Sequence, residues 1–92
     1  MIRSFRSKAL RDFFQTGKSA KVSASLRSRV LRCLDALDQT EDLSDLHTPG
    51  LRCHKLQGHY PDRYAISVNG PWRIPFEFED GDVLNVDLEQ YH

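Results

Sequence analysis

Apolar positions recur with one period in the first half of the chain and with another in the second. Leu10, Phe13 and Phe14 fall at i, i+3 and i+4, the spacing of one helix face. Ser7 ahead of them is a candidate N-cap and Gly17 a candidate stop, which predicts a first helix of about three turns. After a polar break at Lys18-Ser19-Ala20-Lys21, the residues Val22, Leu26, Val30, Cys33, Leu34 and Leu37 continue the helical period. Arg27, Arg29 and Arg32 face elsewhere, and this second helix is expected to be the longest element. Leu43 and Leu46 suit one further helical turn before Pro49-Gly50 ends the helical half. Met1 to Phe5 is short and extended in character, as an edge strand would be.

Beyond Pro49-Gly50 the period falls to two. Residues 51–56 read as extended, and Tyr64, Ile66 and Val68 alternate with polar or small residues. Asn69-Gly70 is a turn signal. Trp72, Ile74, Phe76 and Phe78 line one face of the next strand, leaving Arg73, Pro75, Glu77 and Glu79 on the other. Asp80-Gly81 marks a second tight hairpin, and Leu84, Val86 and Leu88 supply the apolar face of the last strand. Strands joined by tight turns are antiparallel. The expectation is one α+β domain over residues 1–92, with a leading strand and two N-terminal helices packed on one face of a mainly antiparallel sheet. The opposite face is expected to be open and polar. Pro75 fits poorly, because it has no N–H for a ladder; either a bulge sits there or the strand is less central.

Composition changes little. At 92 residues, 39% hydrophobic and 28% charged, the chain is globular rather than disordered. No apolar run approaches the roughly 18 residues of a membrane span, and no apolar stretch follows the N-terminal positive charges, so a cytoplasmic protein without membrane partners is expected. Cys33 and Cys53 are too few and too far apart for a metal site and read as small buried hydrophobes. Charge is more informative. The net charge is zero, yet up to Arg32 there are nine basic residues and one acid, Asp12; after residue 40 there are four basic residues and ten acidic ones. The helical half is therefore suited to a polyanion or an acidic partner, unless the charges are simply solvated faces.

A few residues carry candidate chemistry. Arg73 projects from the face opposite the Trp72–Phe78 row, where a guanidinium on a rigid strand can clamp a phosphate; the structural alternative is an ion pair with Glu77. His54 has an imidazole suited to proton transfer, and the adjacent Lys55 offers a phosphate contact; both are equally compatible with a polar surface. His47 and His59 read as loop residues. The closing Tyr91-His92 is either a frayed tail or, following directly on the last strand, a pair at the rim of the open face. Two histidines and an arginine suffice to cleave RNA through its own 2′-OH, with no metal or cofactor. Zinc spacing, a glycine-rich phosphate loop and a Ser-His-Asp order are all lacking, while Asp80 and Asp82 read as turn residues.

These residues also match a known family. Ile2-Arg3-Ser4-Phe5, Phe14-Gln15-Thr16-Gly17, Leu51-Arg52-Cys53-His54-Lys55-Leu56-Gln57-Gly58, Tyr64-Ala65-Ile66-Ser67-Val68-Asn69, Trp72-Arg73-Ile74 with Phe76 and Phe78, and Tyr91-His92 together resemble HigB-type toxins of the RelE-like superfamily. The matches run nearly end to end. The resemblance implies a RelE-like fold and a toxin that cuts mRNA on the ribosome, neutralised by a helix-turn-helix antitoxin of the HigA type. It implies contact with DNA only through the antitoxin complex, which represses its own promoter. It also implies an active site of His54, Arg73, Tyr91 and His92, with Lys55 a weaker candidate for substrate phosphate. The sequence departs from the family at Gln57, a common lysine position, and in the loop His59-Tyr60-Pro61-Asp62-Arg63, where a compact basic segment is usual. A non-catalytic module that binds the antitoxin or the ribosome is the competing expectation.

Overall fold

The computed structural model describes residues 1–19 and 21–90. Within them the order is α1 (Lys8–Thr16), α2 (Arg27–Gln39), a 3₁₀ turn (Leu43–Leu46), β1 (Cys53–Leu56), β2 (Arg63–Asn69), β3 (Trp72–Glu79), β4 (Asp82–Leu84) and β5 (Glu89–Gln90). The sheet runs β1-β2-β3-β4, with β5 also on β3, and all these pairings are antiparallel. The expected α+β architecture is present.

The first helix forms as its sequence predicts. Ser7 is extended, and its hydroxyl accepts the Leu10 N–H at 3.1 Å. Gly17 ends the helix in the left-handed region at φ 75, returning its N–H to the Phe13 carbonyl. The second helix begins later than periodicity suggests. Val22 is fully packed yet lies before the helix, which starts at Arg27. The reason is local: the Arg27 guanidinium donates to the carbonyls of Val22 and Ser19, tying them to the start of the helix. Burial at helical spacing thus comes partly from a loop.

Leu10 and Phe13 of α1 and Val30, Cys33, Leu34 and Leu37 of α2 meet Ile66, Val68, Ile74 and Phe76 of the sheet, with Val83 and Val86 completing the core. The leading segment lies alongside residues 83–86 in parallel, through bridges Ile2–Val83 and Phe5–Val86. It is an edge, as expected, although it is not a continuous strand.

Three features of the sheet differ from the simple alternation. First, the β2–β3 turn is Gly70-Pro71 rather than Asn69-Gly70, because Asn69 still pairs with Trp72. Gly70 has φ 56, and proline is held near −65°, the sign pattern of a type II′ hairpin. Second, the register slips between Ser67 and Asn69, so Val68 is the extra residue of a bulge. Its carbonyl accepts from Arg29 Nε, and Arg29 Nη2 donates to the Gly50 carbonyl at 3.0 Å. Third, the last strand is broken. β4 stops at Leu84, Asn85 takes a left-handed φ of 53, and β5 resumes only at Glu89. Of the expected Leu84, Val86 and Leu88, Val86 is buried and Leu88 packs half-buried against the core, while Val83 is buried in place of Leu84.

Pro75 explains the break. Its carbonyl accepts the Asp87 N–H at 3.1 Å, so its ring nitrogen also faces the outer edge of β3. β4 pairs with β3 as far as Glu77, and β5 pairs with it at Arg73 and Trp72. The position without a donor therefore falls in the gap between the two strands. On its other side Pro75 lies opposite Ala65 of β2, within the regular part of that pairing.

Both cysteines are free. Cys33 is buried as expected, whereas Cys53 is only half-buried. Burial still pushes the Cys53 thiol up from its ordinary value of 9.0 to about 11. The folded chain therefore keeps the Cys53 proton between these values, and any contribution to stability is lost as pH rises through that window. Alkylation of Cys53 in the native protein at pH 8 is expected to be slower than in the denatured protein, and to accelerate towards pH 11. Equal rates in both states would contradict this. Ser7→Ala removes the α1 cap and is expected to lower stability by about 1 kcal/mol in a denaturant titration.

Candidate active site

The sheet face turned away from the helices carries the candidate chemistry. On β1, His54 and Leu56 project to this side; on β2, Arg63, Ala65 and Ser67; on β3, Arg73, Pro75 and Glu77. Register places these residues as neighbours: His54 opposite Ala65, Ser67 opposite Arg73, and Ala65 opposite Pro75. The face is not wholly polar, as expected from alternation, because Leu56, Ala65 and Pro75 are buried there. These apolar side chains form a floor on which the polar groups stand.

A cleft of about 530 Å³ opens on this face. His54, Lys55, Gln57, His59, Ser67, Trp72 and Arg73 line it, and none of the described lining residues is acidic. It therefore joins His54 and Arg73, which lie 19 residues apart in sequence. Tyr91 and His92 fall outside the described residues. The chain reaches them from β5, whose Glu89 and Gln90 pair with Arg73 and Trp72 beside the cleft.

Arg73 is held rather than exposed, with its side chain only 19% accessible. Its Nε lies 3.5 Å from Glu89 Oε1, and not against the Glu77 expected from spacing. Glu77 instead accepts from Asn85 Nδ2 at 2.8 Å, at the break between β4 and β5. The break thus withdraws one carboxylate from Arg73 and supplies another. Sequence spacing has no access to this exchange.

His54 is exposed, and its Nδ1 lies 3.3 Å from the Arg52 carbonyl oxygen. A carbonyl only accepts, so this contact requires the proton on Nδ1. The neutral ring then presents Nε2 as a lone-pair acceptor. Arg52 has a left-handed backbone, φ 49, at the entry to β1.

Lys55 lines the cleft, but its ammonium is 3.2 Å from Asp62 Oδ2 on the loop after β1. It is shared with a carboxylate, not a lone cation aimed at a ligand. Three lining residues were missed by sequence reasoning. His59 looked like a loop histidine, and its place in the cleft depends on how the 57–62 loop folds back. Ser67 was legible in principle, since it alternates onto the same face as Arg73. Trp72 was assigned wholly to the core, yet it is half-buried and also borders the cleft. Arg63, on the same face, has Nε and Nη2 shielded from solvent without a hydrogen-bond partner, adding positive charge beneath the surface.

A family model described as HigB-like toxin, the RelE-like toxin of type II toxin–antitoxin system HigB, matches residues 3–92. The chain belongs to this family. Among the relatives of this HigB-like toxin, Endoribonuclease HigB of Proteus vulgaris is 33% identical over 92 residues, covering 100% of both chains. Toxin HigB-1 of Vibrio cholerae is 31% identical over 93 residues, covering 99% of this chain and 98% of its own. As a type II toxin the protein has an antitoxin partner. No helix among the described residues is long and apolar enough to cross a membrane.

The tautomer of His54 is open to measurement. Long-range ¹H–¹⁵N correlation on the neutral imidazole is expected to show the proton on Nδ1. A ring protonated mainly on Nε2 would remove the acceptor that the site geometry assigns to it.

Proposed function

We propose that this HigB-like toxin is an endoribonuclease that cuts mRNA during translation on the ribosome, by a metal-free attack of the RNA's own 2′-OH on the neighbouring phosphate. One observation carries the reading. A histidine whose Nδ1 faces a backbone carbonyl, leaving Nε2 as the outer nitrogen, and an arginine held on a rigid strand line the same cleft, with no acid among its described lining residues. The name of the Proteus vulgaris relative, an endoribonuclease, supports the reaction class.

His54 Nε2 takes the 2′-OH proton as the O2′–P bond forms. Arg73 stabilises the extra negative charge on the phosphorane oxygens, where a fixed cation acts most strongly. The P–O5′ bond then breaks, and the departing oxygen takes a proton from His92, with Tyr91 holding the adjacent base or phosphate. The products are a 2′,3′-cyclic phosphate and a 5′-hydroxyl. Lys55 contributes to phosphate binding only after it leaves Asp62, so its share is small. The basic N-terminal half meets ribosomal RNA. A helix-turn-helix antitoxin of the HigA type neutralises the toxin in the cytoplasm and brings it to DNA.

In a translation extract with a reporter mRNA, primer extension is expected to map cuts made by the wild-type protein and none by Arg73→Ala. His54→Ala should lower the rate by roughly 10²–10⁴-fold. Removing Tyr91 and His92 should abolish cutting while leaving the thermal melt unchanged. Fragments with 5′-phosphate ends would overturn the 2′-OH route. Growth arrest by Arg73→Ala with intact mRNA would point instead to a non-catalytic binder.

A further inference from the structure

A second basic site adjoins the cleft. The bulge at Val68 and the turn at Gly70 shape a groove of about 330 Å³, lined by Arg29, Arg52, Ser67, Val68, Asn69 and Gly70. Ser67 and Gly70 also line the cleft that holds His54 and Arg73, so the two depressions share a wall. None of the described residues lining the groove is acidic.

Its two arginines differ in how they are held. Arg29 is fixed by donating to the carbonyls of Val68 and Gly50. Carbonyls orient a guanidinium without neutralising it, so the charge persists at a set place. Arg52 is exposed and makes no ion pair among the described residues. A long side chain at φ 49 is unusual, because the left-handed region crowds its Cβ. That backbone turns the Arg52 carbonyl towards His54 while its guanidinium borders the neighbouring groove. Arg52 thus lines the groove while its backbone carbonyl contacts a histidine of the cleft.

We propose that this groove is a phosphate subsite for the single-stranded RNA whose scissile bond lies in the cleft. Arg52 contacts the backbone of a nucleotide beside the cut, and Arg29 supplies the fixed positive field beneath it. The groove is polar and has no acid among its described lining residues, which suits a phosphodiester more than an apolar or cationic group. The subsite rests on the reading that RNA occupies the cleft, and extends it to the path of the strand.

The test uses fluorescently labelled RNA oligonucleotides from three to eight nucleotides, made uncleavable by 2′-O-methyl groups, with anisotropy as the readout. Arg52→Asn is the variant, because asparagine removes the charge and tolerates the left-handed backbone. The wild type is expected to gain affinity as the strand lengthens. In Arg52→Asn that gain should fall by about tenfold, with binding of the shortest oligonucleotide unchanged. The slope of log K against log salt should drop by roughly 0.7, the share of one phosphate contact on a single strand. Arg52→Lys should restore part of both. An unchanged length dependence in Arg52→Asn overturns the subsite. Equal losses at every length also overturn it, since they place Arg52 in the cleft itself. Absence of binding by the wild type overturns a subsite acting on the free protein, and cutting in the translation extract then shows whether the cleft reading survives alone.

Discussion

The outer edge of β3 cannot carry an unbroken partner strand, because Pro75 has no N–H to offer it. Much of the site follows from that missing donor. β4 leaves the edge after Leu84, Asn85 turns the chain through a left-handed residue, and β5 rejoins at Glu89. Ser4 Oγ accepts the Asn85 N–H at 2.8 Å, and Asn85 Nδ2 is tied to Glu77, so the break is anchored from both sides. The result brings Glu89 against Arg73. A proline that looks like a fault in a strand is the point around which the strand's chemistry is arranged.

The same economy appears at the opposite end of the β2–β3 hairpin. The extra residue at Val68 leaves a carbonyl without a ladder partner, and a guanidinium from α2 takes it. Helix and hairpin are thereby joined by a polar contact at the border of the packed core. The arginines of the helical half are therefore not only a solvated or ligand-facing stripe. Arg27 closes the loop before α2, and Arg29 fixes the hairpin, while each still carries its charge to the surface.

Function in a molecule this small depends on shared parts. The buried Leu56, Ala65 and Pro75 let polar groups on the same sheet face stand on a rigid support. Arg73 is largely screened from bulk solvent and positioned by the Glu89 carboxylate, which offsets part of its charge. His54, by contrast, stays exposed and obtains its orientation from a single backbone carbonyl.

The sequence alone determined the elements whose signals are local. The Ser7 cap, the Gly17 stop, the Asp80-Gly81 hairpin and the Ile66, Ile74 and Phe76 core are each decided by neighbours within a few residues, and all stand where the pattern puts them. Motif order likewise identified the family and placed His54 and Arg73 on one face. Tertiary structure alone decided which carboxylate meets Arg73, that Lys55 is tied to Asp62, and that His59 joins the cleft. It also decided where α2 begins and where the last strand breaks. Those outcomes depend on bonds between distant residues, Arg29 to Val68 or Ser4 to Asn85, and on a donor missing from one strand being met by a gap in another. Periodicity records which residues seek burial; it carries no record of which polar groups find one another once they are buried.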